Sequence, residues 1–430
     1  MAKIMPFRAV YYDPLKVGAD LGAVIAPPYD VVNAEEGRRL ADRSPWNVVR
    51  LELTVPPPGG QDPALYANAA RLWQAWRREG VLAVDREPFL YLCEHEFEWQ
   101  GTRYTRTAVI GLLDLSEGVL PHEETMAHAK EDRINLLRAT HALPSPMIGL
   151  YEDPSGKAAR ALASVRDGSE PDLVATLEEE VLRVWRIRDA ATSAAVAEVV
   201  GAGPVVIADG HHRCESMKRL ARETGDRRHM RILAALVSTA DPGLVVLPTH
   251  RVVAGWPEGS EARLAERMLS VFDIVDTVDA AAFFINSKPP APEGCEDLAS
   301  RLWTRLCSQI SSSGNRTSFA MVTRAGLWVL AYCGDTPEML RRLDLEIAEE
   351  AASCKAAIPG AACEVAYTHH GPADIAAILS GKAQVAIFPP AVAASEILKK
   401  ACDGYLFPKK TTYFLPKAPA GLLMWDMGSL

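Results

Sequence analysis

The stretch "VVIADGHHRCESMKRL", residues 205–220, constrains the fold more than any other part of the chain. Val205, Val206, Ile207 and Ala208 make an unbroken apolar run, the pattern of a strand covered on both faces. Asp209, Gly210, His211, His212 and Arg213 follow, and then a helix-like pattern over "CESMKRLARET". A buried strand that turns at a glycine into a helix requires helix packed on sheet, so the chain is predicted to be α/β, with α+β parts.

That junction also has the makings of an anion site. The N–H groups at a helix start carry partial positive charge. Gly210 lets a ligand approach the backbone, and Arg213 can grip phosphate oxygens with two bonds. His211 and His212 can donate to a phosphate or move a proton near neutral pH. Asp209 can place Mg²⁺, orient a histidine or accept a proton. The competing reading makes Asp209 a helix cap and leaves the histidines on the surface. A metal held by His211 and His212 together is disfavoured, because adjacent residues rarely aim at one ion.

Around this junction the pattern alternates. Upstream, "VPPPGG" at 55–60 reads as a loop. "DPALYANAARLWQAWRREGVL" reads as a helix with Leu65, Ala69, Leu72, Trp73 and Trp76 on one face and Gly80 at its end. "PFLYLCEHEFEWQGTRYTRTAVIGLLDL" reads as a hairpin turning at Gln100-Gly101. A helix is expected from about Glu123 to Ala142, then a strand at Met147–Tyr151. "EEVLRVWRIRD" is a strand, and "TSAAVAEVV" a helix with Thr192 as its candidate cap. Strands "RILAALVS" and "LVVLPTHRVV" close the core. Residues 285–316 are rich in Pro, Ser and Gly, and the tail alternates again. Four parts are therefore expected: 1–115, 116–255, a smaller α+β domain at 256–335, and an α/β tail at 336–430.

Several chemistries are excluded by missing motifs. Gly156-Lys157 and Gly381-Lys382 lack the earlier glycine and the following hydroxyl of a Walker A loop. "HEETMAH" places Met126 where a zinc protease needs its second histidine. "GAGPVV" has a proline where a Rossmann helix would start, and there is no G-x-S-x-G elbow. The formal net charge of -9 argues against broad nucleic-acid binding. No run of about 18 apolar residues predicts a membrane span, and the first residues lack the apolar stretch of a secretory signal. The eight cysteines form no C-x-x-C pair, so reduced thiols in a cytoplasmic protein are expected.

"ADGHHRCESMKRL" resembles the D-G-H-H-R-x-x-A signature of the ParB/sulfiredoxin-like superfamily, which includes partition proteins, sulfiredoxins and free-serine kinases. In that signature Ala stands where this chain has Ser216 or Met217. A longer series is similar to the family called domain of unknown function 1015. It comprises "VIAPPYDVV", "SPWNVVRLEL", "LPHEETMAHAKEDRINLLRATHALPSPMIGLYED", "ADGHHR", "LPTHRVV", "VAYTHHGPADIAAILSGKAQVAIF" and "FPKKTTYFLPKAPAGLL", in that order. The chain departs from that pattern at "LDLEIAEEAA", at Thr368-His369-His370 and at Lys409-Lys410. The resemblance implies a ParB/sulfiredoxin-like core with added N-terminal and C-terminal α/β segments. It also implies a turn, Gly210 to Arg213, that holds the phosphates of ATP or ADP.

Further site residues follow from the resemblance and from residue chemistry. In the free-serine kinases a P-H-E motif carries the base, which makes Glu123 the candidate base and His122 its neighbour; the alternative is that Glu123 and Glu124 favour a helix start. Lys130 and Arg133, three apart, share a face that either neutralises a transferring phosphoryl group or is an exposed ion-paired surface. Tyr29 and Asp30, held after a double proline, are substrate candidates, and Arg50 either reaches the same cleft or pairs with Glu52. Lys410, Thr411 and Thr412 suit phosphate or substrate contact, or form a solvated turn. Cys214 reads as a packing residue. The expected activity is nucleotide-dependent phosphotransfer to a small hydroxy compound, with free L-serine the best candidate, or its reversal as a phosphatase. A non-catalytic nucleotide-binding switch is the alternative. The expected partners are a small substrate and a nucleotide, with no membrane and no nucleic acid.

Overall fold

The computed structural model describes residues 1–52, 63–124, 129–257, 259–279, 292–313, 316–324, 326–358 and 362–428. The expected loop at 55–60 lies outside these residues, as does most of "NSKPPAPEG". The fold is mixed α/β. The chain forms two compact units: Met1–Val245 with Ala394–Leu406 and Phe414–Leu430, and Val246–Ala393 with Phe407–Tyr413.

In the first unit, nine strands form one sheet among the described residues. They are β1 (Ile4–Met5), β2 (Leu90–Trp99), β3 (Thr102–Asp114), β4 (Val119–Pro121), β5 (Met147–Tyr151), β6 (Leu173–Leu177), β7 (Glu180–Ile187), β8 (Val205–Asp209) and β9 (Arg231–Ser238). Their order is β4-β8-β5-β9-β3-β2-β7-β6, with β1 also paired to β3. The long β2–β3 hairpin turns at Gln100 and Gly101, whose φ values of 50° and 74° suit the two-residue turn that matches strand twist. All five residues of β8 are buried, as an unbroken apolar run requires.

The register around β8 sets up the site. β8 runs parallel to β4, with Ile207 opposite Pro121, and antiparallel to β5. The two residues after Pro121, His122 and Glu123, therefore leave β4 beside the Asp209 end of β8. This corrects the helix expected from Glu123. The described helix spans Ala129–Thr140, because Val119–Pro121 pairs as a strand and carries the chain past Glu123 in extended form.

The helix after β8 spans His211–Thr224. Gly210 precedes it at φ 93° and Gly225 ends it at φ 69°, both left-handed. Arg213, Cys214, Met217, Leu220 and Ala221 form its buried face. The helix Ala190–Gly201 is capped by Asp189, which accepts from the Thr192 N–H, so Thr192 is the third helical residue rather than the cap. A carboxylate one turn upstream reaches that orphan N–H better than the hydroxyl of Thr192 itself.

The second unit holds a seven-stranded sheet among the described residues. Its order is Asp273–Asp279, Gly326–Cys333, Arg316–Thr323, Val385–Phe388, His250–Ala254 and Glu364–Thr368, with Ser311–Ser313 beside Arg316–Thr323. Two units thus stand where four parts were expected. Residues 256–335 share the second unit with the expected tail as far as Ala393, because Val385–Phe388 pairs with both Arg316–Thr323 and His250–Ala254, while Ala394–Leu406 and Phe414–Leu430 belong to the first. Phe319, Leu330, Leu343 and Ile387 share one apolar cluster. No described helix is long and apolar enough to cross a membrane.

Candidate functional site

The turn at Gly210 is built by local sterics. At φ 93° a Cβ on this residue would meet the Met147 Cβ at 2.9 Å and the Arg213 Nε at 3.0 Å. Glycine is the residue that fits. The helix that follows takes no side-chain cap from its N-cap residue, a kind of helix start that suits an anion.

Asp209 does not cap the helix. One of its oxygens accepts from Arg213 Nη2 at 2.9 Å, and the other pairs with Lys417 Nζ. Burial alone would raise its carboxyl, but Lys417 and Arg213 override that and hold it well below the usual carboxylate range. Asp209 therefore fixes two cations beside the turn. The Mg²⁺ role does not fit it, since a metal would have to displace both positive groups. Among the described residues no cluster of three His, Cys, Asp or Glu side chains is arranged to hold a metal.

His122 is 1 % exposed and donates from Nδ1 to the Ile207 carbonyl at 2.5 Å. Its Nε2 lies 3.8 Å from Glu123 Oε2, and its ring centroid is 4.9 Å from that of His211. Burial pushes the imidazole of His122 down to about 4. Burial, aided by repulsion from His122, pushes His211 down to about 3. Both rings are neutral at pH 7. Glu123, half-buried, therefore stands beside a neutral His122 ring that packs on the ring of His211.

A second arm reaches the turn from the N-terminal part. Arg213 Nη1 donates to Ser145 Oγ at 2.8 Å, and Ser145 donates to Glu52 Oε1 at 2.7 Å. Arg133 donates to the Glu52 carbonyl at 2.9 Å and to Asp132 Oδ2 at 2.8 Å, and its guanidinium lies 3.9 Å over the Tyr29 ring. Arg133 is buried, which removes the exposed ion-paired face as its setting. The Lys130 side chain lies outside the described residues. Burial raises the Tyr29 phenol to about 12, so it stays protonated. Asp30 is exposed, yet near enough to act on the charge of Tyr29 and Arg213.

Several buried polar atoms here have no hydrogen-bond partner among the described residues: His211 Nε2, Arg213 Nε and Glu52 Oε2. Leaving such atoms unmatched costs about 1–3 kcal/mol each, so the arrangement is completed by a polar ligand or by water. A helix start without a side-chain cap and the orphaned Arg213 Nε donor, next to a fixed pair of cations, suit a phosphate group.

Arg50 stands elsewhere. Arg50 sits in the short helix Val49–Glu52, is exposed, and donates to the Ala41 carbonyl. It neither enters the cleft nor pairs with Glu52, because helical rather than strand geometry turns it away from Glu52. Lys410, Thr411 and Thr412 belong to the second unit. Lys410 is exposed at φ 58°, and the Thr411 hydroxyl donates to the Pro408 carbonyl at 2.8 Å. Cys214 is buried against Met147, and burial pushes its thiol up to about 12, far from a reactive thiolate. The eight cysteines are all free. No local sequence signal marks Glu52, Ser145 or Lys417 as a site residue.

The chain is a mixed α/β protein in which a strand–glycine–helix turn is flanked by a P-H-E segment. The chain belongs to the family described as "Protein of unknown function (DUF1015)", whose model matches residues 4–346. No curated protein matches it. Solved structures similar to it include "Free serine kinase in complex with AMP", at 14% identity and a TM-score of 0.38, covering 71% of this chain and 87% of that one. A conserved hypothetical protein from Pyrococcus furiosus has 15% identity and a TM-score of 0.38, covering 72% and 93%. SbnI with a C-terminal truncation, from Staphylococcus aureus, has 11% identity and a TM-score of 0.36, covering 72% and 84%.

Proposed function

We propose that the protein is a nucleotide-dependent phosphotransferase acting on a small hydroxy compound, with free L-serine as the acceptor. The observation that carries this reading is one juxtaposition. The helix start at Gly210, with no side-chain cap, lies beside Arg213 and the Asp209–Lys417 pair, and Glu123 stands next to His122, whose ring packs on that of His211.

Gly210, His211, His212 and Arg213 would hold the phosphates of ATP or ADP, and Arg213, Lys417 and Arg133 would offset the charge of the transferring group. Glu123 takes the acceptor's hydroxyl proton as the oxygen bonds to the terminal phosphorus, and the bond from that phosphorus to the nucleotide breaks. Phosphoserine and the shortened nucleotide are the products. With the direction reversed, or with water as acceptor, the same groups remove the phosphate. Tyr29 and Asp30 border the acceptor side.

The test is incubation of the purified protein with serine and ATP, ADP or pyrophosphate, with divalent cations present, followed by mass spectrometry for phosphoserine. Phosphoserine should form, and Glu123→Gln should slow it by roughly 10²–10⁴-fold while nucleotide still raises the melting temperature. Absence of turnover in both directions sinks the serine claim. Nucleotide binding without turnover, unaltered by Glu123→Gln, would instead identify a binding module.

A further inference from the structure

The first unit holds a cavity that this chemistry does not use. It is walled by Ile110, Pro146, Leu182, Ala235, Leu422 and Leu423, and Arg106 reaches it from β3. Arg106 is only 4% exposed. Its Nη1 donates to the Pro416 carbonyl at 2.5 Å and its Nη2 to His95 Nδ1 at 3.4 Å. Nε2 of His95 meets Glu180 Oε2 at 2.8 Å. Since Nδ1 accepts from Arg106, Nε2 carries the proton and donates to Glu180. The carboxylate of Glu180 thus reaches Arg106 only through a neutral ring. Among the described residues, Arg106 has no carboxylate of its own within ion-pair distance. Asp241, Glu180 and Asp209 act on its charge only from beyond that distance, and the buried cation costs several kcal/mol unless a closer counter-charge joins it.

The walls decide which anion fits. Apart from Arg106, His95 and Cys93 they are apolar, which suits an aliphatic group and disfavours a strongly hydrated phosphate. The cavity volume is about 30 Å³. One water needs roughly 10–15 Å³ on the same measure, so the ligand is limited to a few heavy atoms. We infer that the Arg106 cavity binds a short monocarboxylate of the size of acetate, with the carboxylate on the guanidinium and the methyl group among the leucines. The site is separate from the turn at Gly210, although Pro146 follows Ser145, and Pro416 precedes Lys417, in the chain.

The experiment measures the melting temperature of the full chain against sodium acetate, with ionic strength held constant by sodium gluconate, which is too large and too polar to enter. A saturable rise on the order of 2–4 °C is expected. Arg106→Met should abolish the rise by removing the charge. Should that variant fail to fold, Ala235→Val fills the cavity with the guanidinium intact and should abolish it as well. An absent or unsaturable response in the parent protein overturns the proposal. So does an equal response to chloride, or a response that survives Ala235→Val. These readings involve no nucleotide or serine, so they stand or fall apart from the proposed phosphotransfer.

Discussion

At the scale of single residues, Asp209 matters for what it joins. It holds Arg213 and Lys417, which are 204 positions apart in the chain, in one buried network. Asp209→Asn leaves two cations facing each other away from water, and removal of one partner from such a group costs about 3–5 kcal/mol. Urea unfolding at pH 7.5 should register that loss. The histidines set the pH dependence. His122 titrates near 4 and His211 near 3 in the folded protein, each because burial disfavours its charge. In the unfolded chain a histidine takes its proton near pH 6.5. Between those values the unfolded state holds more protons, so stability is greatest above about 6.5 and falls as the pH falls. The slope is roughly 1.4 kcal/mol per pH unit for each such histidine. Asp209 contributes in another window, because its depressed carboxyl stabilises the fold fully above about 3.9 and loses that effect only in stronger acid. Unfolding free energies taken between pH 7.5 and 5 should therefore decline, and His211→Asn should flatten the decline by about one histidine's share. An unchanged slope in that variant would contradict a neutral, buried His211.

At the scale of elements, the strand–turn–helix junction depends on one backbone angle. Gly210→Ala places a Cβ at φ 93° and against Met147. The left-handed angle alone costs about 1–2 kcal/mol, and the contact adds to it. The variant should unfold at lower urea and show a smaller nucleotide-induced rise in melting temperature than the parent. Both readouts are needed, because a destabilised helix with full nucleotide response would place the ligand elsewhere. This junction was legible in the sequence, since an apolar run, a glycine and a helical period are adjacent in the chain. The β2–β3 hairpin was legible for the same reason. Local signals failed where partners come from afar. Nothing near Glu52 announces that it takes the Ser145 hydroxyl, 93 positions on, and nothing near Lys417 points back to Asp209. The P-H-E segment was legible as a motif but misplaced as a helix start, because the acidic residues after Pro121 look like a helix amino terminus. The pairing of Val119–Pro121 with β8 is a long-range fact that no local window contains.

At the scale of the whole molecule, the first unit is discontinuous. The chain leaves it after Val245 and re-enters at Ala394 and again at Phe414. The last return supplies more than Lys417. Phe414, Leu422, Leu423, Met424, Trp425 and Met427 are all buried, and Trp425 and Asp426 pair with Leu143 and Ala142. Side chains of this size contribute roughly 1.5–3 kcal/mol each when removed from water. Their sum is of the same order as the ~5–15 kcal/mol that holds a typical domain together. A chain ended after Tyr413 should therefore lose cooperative unfolding of the first unit, not merely the Lys417 contact. Circular dichroism and a thermal scan of that truncation decide between the two. A cooperative transition near the parent temperature would mean that residues 414–430 serve only as an appendage to the site. Trp425→Ala supplies the graded version: loss of one buried indole should lower stability by about 3–5 kcal/mol, while Lys417→Met, which leaves the apolar face intact, should weaken the response to nucleotide more than it weakens the fold.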